Sequence, residues 1–483
     1  MKNKWLLFIV MFLVSCSHSD NLNSVKQINR KPNIIFVITD DQGYADLSCH
    51  GHPLVKTPHL DKLKSQSLSF DRFHASPTCA PTRSAIMSGR DPFYVGVTHT
   101  VLERERMALD VPTLPEMLKQ AGYNTGIFGK WHLGDQDSYR PDKRGFDEVF
   151  MHGAGGIGQS FGGSCGDAPN NKYFDPYILH NNKFEKTKGF CTDVFFKQAL
   201  QWIEEKKEEK EPFFVYLSTN APHGPFHCPK KYTKPFAEAG YNENQQGFYG
   251  MISNIDENMG ILMAKMEEWD ITKNTILIFM SDNGPTGNGN TWNAGMKGRK
   301  GSVNEGGTRV PFFIRWPGIV KAGEKCERII RHFDILPTFA DITGTTPKDK
   351  DKLAGLSFLP LLLKPDMPWD DRYLVFHGGR WALDTPPTKD KNYALRSERW
   401  RFVGPNQLYD MQQDPGQKVN VFKKHPDVVK KMSAYYDNWW KTALPLMVNE
   451  TPTLEGHNTF HLMYWKQYGM PIPPVSPKNY SRK

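Results

Sequence analysis

Three continuous apolar runs constrain the fold of this chain more than any other feature. They are rich in β-branched or aromatic residues and cover residues 33–39, 212–217 and 275–280. Apolar runs without alternation are typical of strands buried on both faces of a mainly parallel sheet. Polar residues follow each run, and open α/β sheets bind their ligands at the carboxyl ends of the strands. The sequence therefore predicts an α/β fold, a large mainly parallel sheet sandwiched by helices, with a site at one sheet edge.

Length and charge set broader limits. By length alone, a chain of 483 residues would contain about three domains. Domains with a large α/β fold are often longer than average, so we favour two domains. These are a catalytic domain over 31–355, with a helical pattern at 192–211, and a smaller C-terminal α+β subdomain over 356–483. The formal charge of +9 suits polyanionic substrates but is also common without them. No Lys/Arg-rich segment resembles a nucleic-acid module, so we expect no nucleic-acid partner.

The residues after the first and third runs form a set of oxygen ligands. Asp40 and Asp41 follow the first run, and Asp282 and Asn283 follow the third. Carboxylate and amide oxygens select Ca²⁺ or Mg²⁺ over zinc. An Asp-Asp pair alone is more often a helix cap or a turn. Two such groups at two strand ends predict a metal site.

A cysteine stands where a loop is predicted to run into a helix. Cys79 is followed by Pro81, which suits a first helical turn, and by Arg83, which would project back toward the cysteine. A thiol at a helix N-terminus can be a nucleophile or a modification site, and an anion is favoured there. The alternative is a small buried cysteine before an ordinary helix.

The segment Cys79-Ala80-Pro81-Thr82-Arg83, ending in Ser88-Gly89-Arg90, resembles the signature of the type I, formylglycine-dependent sulfatases. That arylsulfatase-like family belongs to the alkaline phosphatase superfamily. The resemblance covers about residues 31–426, with the motifs in the family's order. It implies that Cys79 is oxidised to formylglycine by a formylglycine-generating or anaerobic maturation enzyme, and that the hydrated aldehyde is the nucleophile. Thr82 replaces the usual Ser or Ala, but the Cys, Pro and Arg of the motif are intact.

The resemblance also assigns site residues. It implies one bound Ca²⁺, with Mg²⁺ less favoured, held by Asp40, Asp41, Asp282, Asn283 and residue 79. Four cationic or imidazole residues match family positions that bind sulfate or assist the leaving oxygen: Lys130, His132, His223 and Lys300. Lys130 and His132 would share one face if extended, and on residue type alone they would be a surface lysine and a hydrogen-bonded histidine. Lys297 and Arg299 lie close to Lys300 in the sequence and are alternative candidates for its role.

These residue types suit the hydrolysis of a sulfate monoester. Its charged oxygens need screening by cations before an anion can attack sulfur. Asp41 or Asp282 is a plausible proton acceptor, and His223 or Lys300 would protonate the departing alcohol. Arg83 would orient the diol and the metal ligands rather than react. We therefore expect a sulfatase that acts on sulfated polysaccharides or oligosaccharides.

The C-terminal part contains short strand-like segments and a helical pattern at about 425–441. They predict a small antiparallel sheet with one helix, packed on the main domain. We hypothesise that four residues face the cleft and bind the alcohol half of the substrate, although structural roles are equally open: His377, Arg380, Trp381 and Arg396. The glycine-rich segment at 153–166 lacks the ending of a phosphate loop, and we expect it at the pocket rim.

The N-terminus resembles a bacterial lipoprotein signal. Lys2 and Lys4 precede a short apolar run and a lipobox-like segment that ends at Cys16. We predict a signal peptide at 1–16, lipidation of Cys16 and a tether at 17–30. The protein would be exported, periplasmic or anchored to the outer membrane by lipid alone. A plain secretory signal is the alternative.

The remaining cysteines leave at least one free thiol. We expect a Cys165–Cys191 bridge, because both residues lie in an insertion-like segment. Two other functions stay open: a phosphoester or phosphonate hydrolase of the same fold, and a non-catalytic binder of sulfated glycans if Cys79 is not oxidised.

Overall fold

A computed structural model of the protein describes residues 31–161, 166–286, 291–381, 385–447 and 456–474. Within these ranges the strands are β1 (Asn33–Thr39), β2 (Leu68–Phe70), β3 (Phe73–His74), β4 (Asn124–Lys130), β5 (Glu148–His152), β6 (Tyr177–His180), β7 (Lys183–Lys186), β8 (Phe213–Ser218), β9 (Thr275–Ser281), β10 (Phe312–Arg315), β11 (Lys325–Cys326), β12 (Ile330–Arg331), β13 (Leu374–His377), β14 (Tyr393–Arg396), β15 (Trp400–Val403) and β16 (Gln407–Asp410).

The α-helices within the same ranges are α1 (Pro58–Ser65), α2 (Cys79–Ser88), α3 (Leu114–Gln120), α4 (Cys191–Lys206), α5 (Lys230–Glu238), α6 (Glu243–Glu268), α7 (Glu305–Thr308), α8 (Ile335–Thr343), α9 (Leu359–Leu363), α10 (Pro426–Ala443) and α11 (Thr459–Gln467). The two helices predicted at 192–211 and 425–441 correspond to α4 and α10. Helix α4 ends earlier than predicted because Lys207 and the residues after it form turns before β8.

A mixed sheet of ten strands forms the centre of the molecule, in the order β11-β2-β10-β9-β1-β8-β4-β5-β6-β7. The strands from β9 to β5 run parallel, and antiparallel pairs flank them on both sides. The three apolar runs are β9, β1 and β8, which lie side by side. The predicted α/β fold is confirmed, and the carboxyl ends of these strands meet at one edge.

Helices cover both faces of this sheet. On one face, Ile35 and Val37 of β1 lie in a core with residues of α4 and α6, such as Phe195 and Ile255. On the other face, Ile34, Phe36 and Ile38 lie in a core with residues of α2, α3, α8 and α9. Because both sides of β1 are buried, its sequence is apolar throughout instead of alternating.

The C-terminal part contains the predicted small antiparallel sheet, β13-β14-β15-β16. Helix α10 packs on it through Tyr436, Trp439 and Trp440, which lie in one core with residues such as Leu395 and Phe402. The boundary at 355/356 stays a prediction. Two helices beyond it, α9 and α11, place residues in the core of the large sheet.

Two predictions concern residues beyond the described ranges. The signal peptide, the tether, Cys16 and Cys165 lie outside them. The predicted Cys165–Cys191 bridge is contradicted, because Cys191 is a free thiol. Cys191 itself is buried at the start of α4. No helix in the described part of the chain has the length and apolar character needed to cross a membrane.

Candidate active site

Three carboxylates meet at the carboxyl edge of the sheet. Asp40 and Asp41 follow β1, and Asp282 follows β9, its parallel neighbour. Asp41 has a left-handed backbone (φ 69°), and its N–H donates to Asp282 Oδ1 at 3.1 Å. All three side chains are buried. The sheet therefore concentrates acidic groups, as the sequence predicts.

Cys79 lies beside these acids as the first residue of α2. Its Sγ and one carboxylate oxygen each of Asp40 and Asp282 lie within 4.8 Å of one another. Thr82, one turn into the helix, donates to the main-chain oxygen of Asp282 at 2.7 Å and accepts from the Ser76 N–H at 2.9 Å. Burial raises the pKa of the Cys79 thiol. The unmodified residue would therefore be a poor nucleophile at neutral pH.

The donor atoms of this site fit a hard divalent cation. Three buried oxygens of this cluster have no hydrogen-bond partner among the described residues: Asp40 Oδ1, Asp41 Oδ2 and Asn283 Oδ1. Burial, together with the charge of Asp40, raises the pKa of Asp282 to about 7. Unpaired buried oxygens and crowded carboxylates are the arrangement that a bound cation would relieve. The cluster could hold one metal ion.

Each carboxylate also has its own cationic partner. Lys130 Nζ lies 2.6 Å from Asp40 Oδ2, Lys300 Nζ lies 2.6 Å from Asp41 Oδ1, and Arg83 Nη2 lies 2.8 Å from Asp282 Oδ2. Burial alone would raise the pKa of Asp41, but Lys300 and His223 hold it well below its usual range. Arg83 is expected to orient the residues that hold the metal, and its ion pair with Asp282 agrees with that expectation.

The two histidines have separate environments. Strand β4 ends at Lys130, and His132 has a left-handed backbone (φ 62°). The extended arrangement considered for Lys130 and His132 is therefore wrong. The His132 ring shares a hydrogen bond with the Thr100 carbonyl at 2.7 Å through Nε2. His223 Nε2 lies 3.8 Å from Asp41 Oδ2, and burial, with a contribution from Lys300, lowers the pKa of His223 to about 4.

A cavity of about 510 Å³ opens onto this cluster. Its lining includes predicted residues from five parts of the chain: Asp41, Cys79, His132, His223 and Lys300. Gly155, Gln159 and Phe161 also line it, which confirms the prediction that the glycine-rich segment forms part of the rim for these three residues. Sequence reasoning missed Thr100, Phe226 and Thr286, which lie in loops and belong to no motif that we recognised.

The two alternative candidates for the role of Lys300 form hydrogen bonds outside the cavity. Lys297 Nζ donates to the Tyr409 hydroxyl at 2.7 Å, and Arg299 donates to Thr291 Oγ1 at 2.7 Å. Neither residue lines the cavity. The structure therefore favours Lys300, as the spacing of the motif does.

Only one of the four substrate-binding hypotheses lies on the cavity. Arg380 is exposed and lines it. His377 and Trp381 are 7% and 6% exposed and pack among aromatic rings of the C-terminal subdomain. The prediction that Arg396 faces the cleft is wrong, because its 2% exposed side chain points to Glu305, with Nε 3.5 Å from Oε2.

Comparisons with known proteins agree with this geometry. The family model described as Sulfatase matches residues 32–345, and the model described as N-sulphoglucosamine sulphohydrolase, C-terminal, matches residues 299–438. The human N-acetylgalactosamine-6-sulfatase is 31% identical over 421 residues, covering 82% of this chain and 77% of that protein. An N-acetylgalactosamine-6-O-sulfatase of Bacteroides thetaiotaomicron is 30% identical, covering 84% and 93%.

Solved structures extend the likeness to most of the fold. A crystal structure of Ps i-CgsB in complex with k-i-k-neocarrahexaose superposes with a TM-score of 0.76 at 28% identity, covering 92% of this chain and 98% of that chain. A phosphonate monoester hydrolase of Agrobacterium radiobacter shares the fold, with a TM-score of 0.63 at 19% identity over 86% and 96% of the two chains. The family model spans well over half of the 483 residues. The chain therefore belongs to the sulfatase family of the alkaline phosphatase superfamily and is a sulfuric ester hydrolase.

Proposed function

We propose that this enzyme hydrolyses sulfate esters on sulfated polysaccharides or oligosaccharides. Two relatives are named for the 6-sulfate of N-acetylgalactosamine, and the solved structure with the TM-score of 0.76 holds a neocarrahexaose. The single observation that carries the proposal is the cavity of about 510 Å³, in which Cys79 lies among Asp41, His132, His223 and Lys300. Its size is in the range of small-molecule sites and exceeds what a sulfate group alone requires.

We propose further that Cys79 is oxidised to formylglycine by a maturation enzyme. The sequence motif supports this, and so does the buried thiol, whose raised pKa makes the unmodified cysteine unreactive. The hydrated aldehyde would supply one hydroxyl that attacks sulfur and a second that later expels sulfate and restores the aldehyde.

We propose Ca²⁺ as the metal ion, because every protein donor other than residue 79 is an oxygen. Asp40, Asp41, Asp282 and Asn283 would hold it, together with the oxidised residue 79. A bound divalent ion neutralises sulfate oxygens and favours the ionised form of a nucleophile.

The remaining residues of the site have roles that follow from their positions. Lys300 and His132 line the cavity, and Lys130 is buried behind it in an ion pair with Asp40. The two lysines would bring positive charge to the sulfate oxygens. His223 or Lys300, which both line the cavity, would donate a proton to the leaving alcohol. Arg83 is fully buried and pairs with Asp282, so it would orient the diol and the metal ligands rather than react.

Export and lipid anchoring through Cys16 remain part of the proposal and rest on the N-terminal sequence. Labelling with a radioactive fatty acid would test the anchor, since Cys16→Ala should abolish incorporation into the mature protein. Incorporation that persists in this variant would contradict the lipobox interpretation.

The catalytic proposal is tested by turnover. The protein, co-expressed with a maturation enzyme, should hydrolyse an aryl sulfate faster than an aryl phosphate at equal concentration, and Cys79→Ala should abolish both activities. A preference for the phosphate would favour the phosphoester hydrolase alternative. Binding of sulfated glycans without turnover by protein whose Cys79 has been oxidised would contradict the proposal.

A further inference from the structure

One exposed cation on the cavity rim has no role in the chemistry described above. Arg380 follows Gly378 and Gly379 in the loop after β13 and lines the cavity that contains Cys79. Its Nη2 donates to Thr100 Oγ1 at 3.3 Å. The Thr100 carbonyl in turn shares a hydrogen bond with His132 at 2.7 Å. Arg380 is therefore linked through Thr100 to His132, one of the two histidines of the site.

The loop that carries Arg380 is held on both sides. The Gly379 N–H donates to His377 Nδ1 at 2.9 Å, and the Trp381 carbonyl accepts from Arg104 Nη1 at 3.0 Å. Gly379 has a φ of 64°, and a Cβ there would lie 2.0 Å from the Thr98 carbonyl oxygen. His377 and Trp381 therefore anchor the loop, and the Arg380 side chain projects from a fixed point. Positioned side chains bind ligands with less loss of conformational entropy than mobile ones.

The structure shows no acidic partner for Arg380 among the residues that it describes. Among the described residues that line the cavity, the one carboxylate is Asp41, and Lys300 already forms an ion pair with it at 2.6 Å. In the described part of the chain, no carboxylate lies within ion-pair distance of Arg380. A guanidinium in this position favours an anionic group that arrives with the ligand.

We propose that Arg380 binds a second anionic group of the substrate, so that the preferred substrate carries a carboxylate or another sulfate besides the sulfate that is cleaved. This inference rests on the proposed hydrolysis of sulfated carbohydrates. It makes Arg380 a specificity-determining residue and gives His377 and Trp381 a positioning role instead of direct substrate contact.

The test compares three disaccharides that share one sulfate ester. The first is otherwise neutral, the second carries a carboxylate on the adjacent ring, and the third carries a second sulfate. Isothermal titration in the presence of Ca²⁺ measures their binding to a Cys79→Ala protein, which has no side chain at this position that could become the aldehyde. The same measurements are made on proteins that carry a second substitution besides the one at Cys79: Arg380→Gln, Arg380→Lys or the control Lys430→Gln. The control removes an exposed cation from α10.

At least one doubly anionic ligand should bind about tenfold more tightly than the neutral one, as expected for one charge-assisted hydrogen bond. Arg380→Gln should remove this advantage and leave the neutral ligand unaffected. Arg380→Lys should restore part of it, and Lys430→Gln should have no effect. Which ligand gains identifies the second group as carboxylate or sulfate.

Equal losses for all three ligands on Arg380→Gln, or no loss for any, would overturn the inference. A failure of the proposed function gives a different result, because the matured wild-type protein would then not hydrolyse an aryl sulfate, whichever of the three ligands bind.

Discussion

Replacing Glu305 by glutamine should reduce the free energy of unfolding by about 3–5 kcal/mol, the usual cost of removing one partner from a buried ion pair. Glu305 begins α7, and its side chain is 4% exposed. Its Oε2 lies 2.9 Å from Arg401 Nη2 and 3.5 Å from Arg396 Nε. Its Oε1 lies 3.7 Å from His74 Nε2. Glutamine keeps the shape but leaves two buried guanidinium groups without a counter-charge.

The sign of the pH dependence follows from the carboxyl group. Burial would raise the pKa of Glu305, but Arg401, His74 and Arg396 lower it well below the ordinary value of 4.5. A group with a depressed pKa in the folded state stabilises the protein above its unfolded pKa and loses that effect as the pH falls through the folded value. The loss caused by Glu305→Gln should therefore be the same at pH 6 and pH 8.

Urea unfolding followed by tryptophan fluorescence measures this loss. The matched control is Glu268→Gln, which removes a carboxylate 2.9 Å from Lys265 with side chains 60% and 40% exposed. An exposed pair of this kind contributes at most about 1 kcal/mol. If Glu305→Gln costs no more than the control, the interpretation of the cluster as a buried charge network that joins α7 and β3 to the C-terminal sheet is refuted.

Three further predictions concern the site and its surroundings. Lys300→Met should lower kcat/KM for sulfate hydrolysis by about 10²–10⁴-fold, while Lys297→Met, which alters a contact to Tyr409, should change it less than tenfold; equal effects would refute the assignment. A chelator should abolish turnover and lower the thermal midpoint, and Ca²⁺ should restore both; unchanged values would contradict the metal site. The hydrogen bond to Glu148 raises the pKa of His180 to about 9, although burial opposes this shift. His180→Gln should therefore lower the free energy of unfolding by about 1 kcal/mol below pH 6.5, and this loss should disappear above pH 9. Urea unfolding of both proteins at pH 6 and pH 10 measures the difference, and an equal loss at both pH values would refute the prediction.

The centre of the fold and the acidic part of the site could be predicted from local sequence. Strands β1, β8 and β9 are apolar throughout because helices cover both faces, and this pattern is visible without a structure. Asp40 and Asp282 then follow from the rule that parallel strands deliver their ends to one edge. Family motifs supplied Lys130, His223 and Lys300, which residue type alone would not have selected.

The remaining features depend on tertiary contacts that no local pattern encodes. The hypothesis drawn from the sequence places Arg396 at the cleft, but in the structure its side chain pairs with Glu305, which is distant in sequence and meets it only in the folded chain. His132 lies just after the end of β4 and has a left-handed backbone, which its local sequence does not indicate. Thr100 borders the cavity from a loop without a motif. Helix α11 packs on the core of the large sheet, although the sequence pattern assigns the whole of 356–483 to the smaller subdomain.

The central claim is that Cys79 becomes the formylglycine nucleophile of a sulfatase. The most direct measurement is the mass of the peptide that contains Cys79, from protein purified from its native host or after co-expression with a maturation enzyme. A mass about 18 Da below that of the thiol form is predicted, because the thiol is replaced by an aldehyde. An unmodified thiol under these conditions would contradict the mechanism proposed for this protein.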